Sequence, residues 1–193
     1  MIILITGANG QLGQELMQVL APQATVVGVG RDRLDLSQPD TIRQTIAEVK
    51  PDAIVNCGAY TAVDKAESEP ELAEKVNGVA PGIIAEEAQK LGAAYIHIST
   101  DYVFDGTQSH PYLETDPTKP IGAYGRSKRA GEIAIEQVTP QHIILRTAWV
   151  YGAGQTGNFV KTMRRLGAER EELRVGADQI GSPTWTGDLS STI

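Results

Sequence analysis

A doubly wound, parallel α/β sheet with helices on both faces is the fold this sequence predicts, and three observations carry that reading. Short runs rich in Val and Ile alternate with longer amphipathic stretches, the pattern of repeated strand–helix units around a parallel sheet. The runs IILIT, ATVVGV and DAIVN are nearly continuous in apolar residues, as strands covered on both faces must be. A glycine triplet, Gly7, Gly10 and Gly13, directly follows the first run and opens the first helix.

Taken in order, strands are expected near Ile2–Thr6, Thr25–Val29, Ala53–Cys57, Ala94–Ser99 and His142–Arg146, with helices near Gln11–Leu20, Pro39–Val49, Glu71–Leu91 and Tyr124–Gln137. The stretch 100–122 breaks the alternation and carries Pro111, Pro117 and Pro120; irregular loops of such length inside a compact domain are often functional. After Arg146 the spacing loosens. A helix is expected around Asn158–Leu166, a short strand at Glu172–Val175 and a Gly-Ser-Pro-Thr turn at Gly181–Thr184, together the beginning of a smaller second lobe. The division expected is 1–147 for the sheet domain and 148–193 for the partial lobe. Thr186 or Asp188 can cap one more helix, but the chain ends at Ile193, before two useful turns are complete, which reads as truncation.

Bulk properties narrow the classes. A chain of 193 residues buries one sizeable core. With 41% hydrophobic and 21% charged residues it reads neither as disordered nor as membrane-spanning, because no apolar stretch approaches the roughly 20 residues a bilayer requires. The N-terminus lacks a basic segment before its apolar run, so no signal peptide is expected and the cytoplasm is the expected compartment. Cys57 is the single cysteine, which excludes an intrachain disulfide and a cysteine-cluster metal site and leaves a buried strand thiol as its reading. A net charge of −7 disfavours nucleic acid and anionic lipid as partners.

The glycine triplet makes the fold Rossmann-like and points to a dinucleotide. A pyrophosphate needs a tight turn, close backbone approach and a helix N-terminus with free N–H groups. The second strand should end near the adenosine ribose, where a carboxylate favours NAD. Here it ends Val29-Gly30-Arg31-Asp32-Arg33. Gly30 leaves room, and the Arg31 guanidinium suits a 2′-phosphate, so NADPH is favoured; NADH stays open through Asp32 on the ribose, with both arginines solvated. Asp35 and Leu36 are expected beside the adenine, and Gly58, Ala59 and Tyr60 where the cofactor crosses the sheet edge.

Tyr124-Gly125-Arg126-Ser127-Lys128 sets a tyrosine and a lysine one helical turn apart, on one face. Reducing a ketone requires a proton for the nascent alkoxide. Tyrosine supplies it poorly at neutral pH until a nearby ammonium stabilises the phenolate, which is the part Lys128 can play. Thr100 is expected at the C-terminal end of the fourth strand, where open α/β sheets present reactive groups. Ser99 is the alternative hydroxyl, but adjacent strand residues face opposite sides. Trp149, just past a strand end, can stack on a nucleobase or pack in a core between lobes.

Gly7–Gly13, Thr61-Ala62-Val63-Asp64-Lys65-Ala66-Glu67, Ser99-Thr100-Asp101-Tyr102-Val103-Phe104, Tyr124–Lys128 and Arg146-Thr147-Ala148-Trp149-Val150-Tyr151 together resemble the dTDP-4-dehydrorhamnose reductase family of the extended short-chain dehydrogenase/reductases, along essentially the whole chain. The resemblance implies hydride transfer from a reduced nicotinamide to C4 of a dTDP-4-dehydro sugar for surface polysaccharide. It implies Thr100, Tyr124 and Lys128 as the catalytic set, Gly10, Gln11 and Leu12 at the cofactor phosphates, and Asp35, Leu36, Ala59, Tyr60, Thr61, Tyr124 and Lys128 elsewhere along the cofactor. Thr100, Asp101 and Trp149 are implied at the nucleotide-sugar substrate. Some relatives dimerise through magnesium held by glutamates, one matching Glu15. An exposed helix glutamate reads as a solvated face, so no metal is assigned, and the chain is expected to be a monomer or a homodimer.

Related dehydratases pair an Asp with a Glu after the threonine, whereas Asp101 is followed here by Tyr102, so dehydration is disfavoured. Epimerisation, which needs only reversible hydride transfer and a retained cofactor, stays open. So does a non-catalytic branch that partners methionine adenosyltransferase, against which the complete Thr100, Tyr124 and Lys128 set argues.

Overall fold

A computed structural model describes residues 1–154 and 156–193. Five parallel strands form the main sheet: β1 (Ile2–Thr6), β2 (Thr25–Val29), β3 (Ala53–Asn56), β4 (Ala94–Thr100) and β5 (His142–Thr147), in the order β2-β1-β3-β4-β5. That order is doubly wound, and its direction reverses between β1 and β3, where ligands gather in open α/β sheets. The five expected strands and four expected helices are present. Their ends differ by a residue or two, as helix and strand ends commonly do.

Helices α1 (Gln11–Leu20) and α2 (Pro39–Val49) occupy the expected spans. The expected helix Glu71–Leu91 is a compound one: α4 (Pro70–Glu74), a π-helical turn over Lys75–Val79, and α5 (Ala80–Leu91), preceded by an unexpected short α3 (Val63–Ala66). The π turn buries Asn77 and Gly78. Hydrophobic periodicity cannot register one widened turn, because apolar residues on either side keep their helical spacing. α6 (Ala123–Val138) carries the tyrosine and lysine and packs on this turn. A Cβ at Gly131 would collide with the Asn77 carbonyl and approach Pro81 Cγ to 3.2 Å, so the two backbones meet there without an intervening side chain.

One face of the sheet is closed by Leu4, Ile54 and Tyr95 packed with Ile42 and Ile46 of α2, Ile83 and Ile84 of α5 and Ile135 of α6. On the other face Ile3, Ile5 and Val55 pack with Leu12 and Leu16 of α1 and Leu189 of the last helix, α8 (Thr186–Thr192). That face thins towards β5, where Ile143 stays exposed.

After β5 the chain forms β6 (Val150–Tyr151), α7 (Phe159–Glu169) and β7 (Thr184–Trp185), with β6 and β7 paired in parallel. Three expectations are corrected here. Glu172–Val175 is irregular rather than a strand, since an alternating run becomes a strand only where a neighbouring backbone accepts its hydrogen bonds. The expected turn at Gly181–Thr184 ends in β7, with the Thr184 hydroxyl donating to the Ala148 carbonyl at 2.8 Å. α8 does form over seven residues, with Trp185 rather than Thr186 or Asp188 at its N-cap and no capping side-chain hydrogen bond. The missing helix propensity is supplied by tertiary packing. Leu189 and Ile193 join the core beneath α1, so residues 186–193 pack with the sheet layers, although the expected boundary at 147 assigns them elsewhere. Cys57 lies one residue beyond β3, half-buried against the same cluster, and burial pushes its thiol up to about 12.

If α8 is part of the core, Leu189→Ala should cost about 2–4 kcal/mol, the range for emptying a buried leucine site. Urea denaturation measures it, and an unchanged midpoint would detach α8 from the folding unit.

Candidate active site

The nucleotide end is built on backbone contacts that tolerate only glycine. Gly7 turns out of β1 with φ +66°, and a Cβ there would sit 2.7 Å from Gly58 N, across the gap between β1 and β3. A Cβ on Gly13 would strike the Gly7 carbonyl and lie 2.7 Å from Ala8 Cα, so α1 can start directly against the turn. Gly10 is the N-cap of α1, with no side chain capping it and no acidic residue in the first turn. The first N–H groups of α1, including those of Gln11 and Leu12, therefore face a position suited to an anion. Gln11's side chain is already engaged: its amide donates to Val150 O at 3.2 Å and its oxygen accepts from Asn158 at 2.9 Å. Only its backbone N–H is left for an anion, while its side chain ties Val150 and Asn158 to the loop.

At the end of β2, a Cβ on Gly30 would lie 2.6 Å from Asn9 Nδ2 and 2.7 Å from Asp32 Oδ1. Arg31 is exposed and pairs with Asp35 at 3.2 Å. Burial raises the Asp35 carboxyl, but hydrogen bonds from Ser37 and Arg31 outweigh it and hold the group below the usual carboxylate range. Leu36 lies over Gly58, where an added Cβ would be 2.8 Å from its Cδ1. Ala59, Tyr60 and Thr61 follow β3 in an irregular, partly exposed segment. Glycine loop, Arg31, Asp35, Leu36 and 58–61 thus line one edge of the sheet. These features fit a dinucleotide: an anion-ready helix start, an uncovered cation and glycines where the backbone must be approached closely.

The chemical end is held by α6. Thr100 closes β4, and its hydroxyl lies beside the Tyr124 phenol, accepts from Tyr102 N at 3.2 Å and donates to Asp101 Oδ1 at 3.2 Å. Ser99, on the opposite side of the strand, donates to Glu132 at 2.5 Å, which leaves Thr100 as the hydroxyl that faces Tyr124. Burial raises the Tyr124 phenol, the Thr100 contact lowers it, and Asp101 and Tyr102 raise it further, for a net upward shift. Burial likewise pushes the Asp101 carboxyl up against the hydrogen bonds it accepts. The Tyr102 and Tyr124 rings meet edge to face at 5.6 Å.

Lys128 is placed differently from the sequence expectation. It is 1% exposed, and its Nζ donates to Ile98 O at 2.7 Å and meets His97 Nε2 at 3.1 Å. No hydrogen bond joins it to Tyr124 among the described residues. Burial lowers its pKa to about 8, partly offset by Glu132. Helical spacing puts the two residues on one face, but a side chain of this length follows its buried acceptors. Trp149 lies two residues past β5, 45% exposed, with φ +48°, a conformation a bulky residue adopts only under tertiary constraint. A Cβ on Gly181 would come within 3.2 Å of its indole. The structure thus joins Thr100, Asp101 and Tyr124 directly and leaves Trp149 along the same edge.

Several positioning residues escaped sequence reasoning. Glu67, at the end of α3, accepts the Ala123 N–H at 2.6 Å and so caps α6 from 56 residues away. Asn77 in the π turn accepts from Tyr60 N at 2.9 Å and donates to Tyr60 O and to the Ser127 hydroxyl. Glu132, fully buried, receives Arg146 at 3.0 and 2.8 Å, Arg129 at 3.0 Å and Ser99. Arg146 also lies 5.1 Å from the Phe104 ring, which stacks on Tyr112 and pins loop 104–112. For Asn77 and Glu132 the signal was a polar residue at a core-facing helical position.

His97 is also 1% exposed, and burial, with Lys128 beside it, holds its pKa well below the ordinary 6.5. Unfolding lets it take up a proton that the folded chain refuses, so stability falls as pH drops below about 6.5, by up to about 1.4 kcal/mol per pH unit. Urea midpoints between about pH 7.5 and 5.5 measure this, and a flat profile in that window would contradict it.

A family model described as the RmlD substrate binding domain matches residues 1–193. The chain is 49% identical over 190 residues to a dTDP-4-dehydrorhamnose reductase from Burkholderia thailandensis, covering 98% of this chain and 63% of that one. It is 48% identical over 188 residues to the reductase of that name from Escherichia coli, covering 95% and 62%. The chain thus spans less than two thirds of the length of these two relatives. A solved dTDP-4-dehydrorhamnose reductase from Bacillus anthracis, in complex with NADP, superposes with a TM-score of 0.95 at 43% identity, over 99% of this chain and 68% of that one. On this evidence the chain belongs to the dTDP-4-dehydrorhamnose reductase family, that of the RmlD substrate binding domain.

Proposed function

We propose that this chain binds NADPH and donates the proton in reduction of the C4 ketone of dTDP-4-dehydro-L-rhamnose to dTDP-L-rhamnose. The observation that carries this reading is the placing of the Tyr124 phenol beside Thr100 at the C-terminal edge of β4, on the sheet whose switch point bears the glycine loop. The relatives' names support the substrate, and the NADP complex of the Bacillus anthracis protein supports the cofactor.

When bound, the cofactor supplies the hydride. Tyr124, kept protonated by burial, donates its phenolic proton to the carbonyl oxygen, so that one hydride and one proton add across the C=O bond and leave an alcohol. Thr100, its hydroxyl hydrogen turned from Asp101 to the substrate, donates to the same oxygen and keeps Tyr124 in line. Asp101, which accepts that hydrogen in the free site, can hydrogen-bond the sugar. The exposed Trp149 indole offers a stacking surface for the thymine. Gly7, Gly10, Gly13, Gln11 and Leu12 hold the pyrophosphate through backbone N–H groups, and Leu36, Ala59, Tyr60 and Thr61 line the nucleoside path. Arg31, turning from Asp35, takes the 2′-phosphate. Lys128 acts on Tyr124 and the nicotinamide ribose once it leaves the Ile98 carbonyl. Residues 1–147, with α8 packed on their sheet, form the nucleotide-binding part, and the segment from 148 to 185 contributes to the substrate side.

Tyr124→Phe should lower the rate of NADPH oxidation with dTDP-4-dehydro-L-rhamnose by about 10²–10⁴-fold while leaving NADPH affinity nearly unchanged. Near-normal turnover would remove Tyr124 as the proton donor. Arg31→Ala should weaken NADPH about tenfold more than NADH in a binding titration, the worth of one charge-assisted contact. Equal losses would return the ribose to Asp32.

A further inference from the structure

A chain of buried polar groups runs under the sheet edge from the glycine loop to Lys128. Thr6 Oγ1 donates to Asn56 Oδ1 at 2.6 Å, and Gly58 N donates to the same oxygen at 3.2 Å. A backbone N–H has no other polarity, so it fixes the Asn56 amide with its oxygen towards Thr6 and its NH₂ towards β4. That NH₂ meets Tyr95 OH at 3.2 Å and His97 Nδ1 at 3.1 Å, and Tyr95 OH lies 3.4 Å from the same ring nitrogen. On its other side, His97 Nε2 faces Lys128 Nζ. Thr6, Asn56, Tyr95, His97 and Lys128 are each no more than 1% exposed, so water cannot repair a mismatched donor.

The order of donors decides the ring's state. With Asn56 and Tyr95 both presenting hydrogens to Nδ1, that nitrogen is bare, and the proton of a neutral imidazole sits on Nε2. An N–H on Nε2 pointed at Nζ is satisfied by an amine lone pair and opposed by an ammonium. We propose that His97 is a positioning residue that holds Lys128, in the free site, as an uncharged amine donating to the Ile98 carbonyl and accepting from His97. The proposal rests on the reading of Lys128 as the partner of Tyr124. Stabilising the phenolate that proton donation leaves on Tyr124 needs an ammonium, so Lys128 takes up a proton from solvent when it leaves His97 for Tyr124.

The other ionisable groups around this pair leave that arrangement intact. Tyr95 on β4 and Cys57 beyond β3 are both pushed up by burial and stay neutral. On α6, Tyr124 is shifted upwards and neutral, and Glu132 is a carboxylate neutralised by Arg129 and by Arg146 of β5. Burial already brings the Lys128 amine down to about 8, in the direction that the His97 N–H reinforces.

Long-range ¹H–¹⁵N spectra of histidine-labelled protein, without cofactor or substrate, test this directly. The expected result at neutral pH is a His97 with Nε2 protonated and Nδ1 bare; a proton on Nδ1, or on both nitrogens, overturns the proposal. Lysine ¹³Cε titration should find Lys128 uncharged at neutral pH, its midpoint lower than burial alone takes it, and an ammonium there overturns the proposal. Asn56→Leu, by freeing Nδ1 to carry the proton, should move His97 to the other tautomer and raise the Lys128 midpoint by about one pH unit. An unmoved midpoint and tautomer overturn it as well. Tyr95→Phe removes one Nδ1 donor with less disturbance and should shift both readouts the same way by less, which serves if Asn56→Leu fails to fold. None of these spectra depends on turnover, so a Tyr124→Phe enzyme that remained active would remove Tyr124 as the proton donor and leave the tautomer result standing.

Discussion

Helix α6 is seated on the sheet through buried polar groups, and that seating organises the chemical half of the molecule. Lys128, Ser127 and Glu132 project from its inner face into positions almost without solvent, where an unpartnered polar atom is costly. Each has found a partner on a different element: the Ile98 carbonyl on β4, Asn77 in the π turn, Arg146 on β5. Three such requirements, met together, leave α6 little freedom to slide or rotate. Tyr124, in its first turn, is thereby aimed at Thr100, and the Glu67 carboxylate fixes the helix start itself.

The glycine positions serve the same end by subtraction. Gly131 lets α6 reach the π turn, and Gly7 lets the β1 turn reach Gly58. Where backbones touch, hydrogen-bond polarity is no longer adjustable. This is why the Gly58 N–H can orient Asn56, and through Asn56 the His97 ring beneath Lys128. The glycine loop and Lys128 are therefore joined by a continuous buried path, although they lie at separate strands of the sheet.

The segment beyond β5 is bound to this framework at few points. Gln11 holds Val150 and Asn158 against the glycine loop, and α8 returns to cover α1 through Leu189. α7 between them buries no residue, and Phe159 and Val160 are exposed on it. The face of β4 and β5 beyond α8 is likewise thinly covered, with Ile143 open. Stability resides in the layers around β1, β3 and β4, while the lobe that carries Trp149 borrows its order from them.

The sequence by itself determined the strand–helix alternation, the glycine turn, the place of Thr100 at the end of β4 and that of Tyr124 in the first turn of α6, because each depends on local chemistry: apolar period, backbone freedom at glycine, position along one element. It also resolved Ser99 from Thr100, since strand alternation is a local rule. Tertiary structure alone decided where Lys128 points, which distant carboxylate caps α6, how the π turn places Asn77, why Glu172–Val175 finds no strand partner and why α8 forms. Those outcomes depend on which donor meets which acceptor across as many as 56 residues of chain, and a buried polar side chain takes its orientation from that partner rather than from its neighbours in sequence.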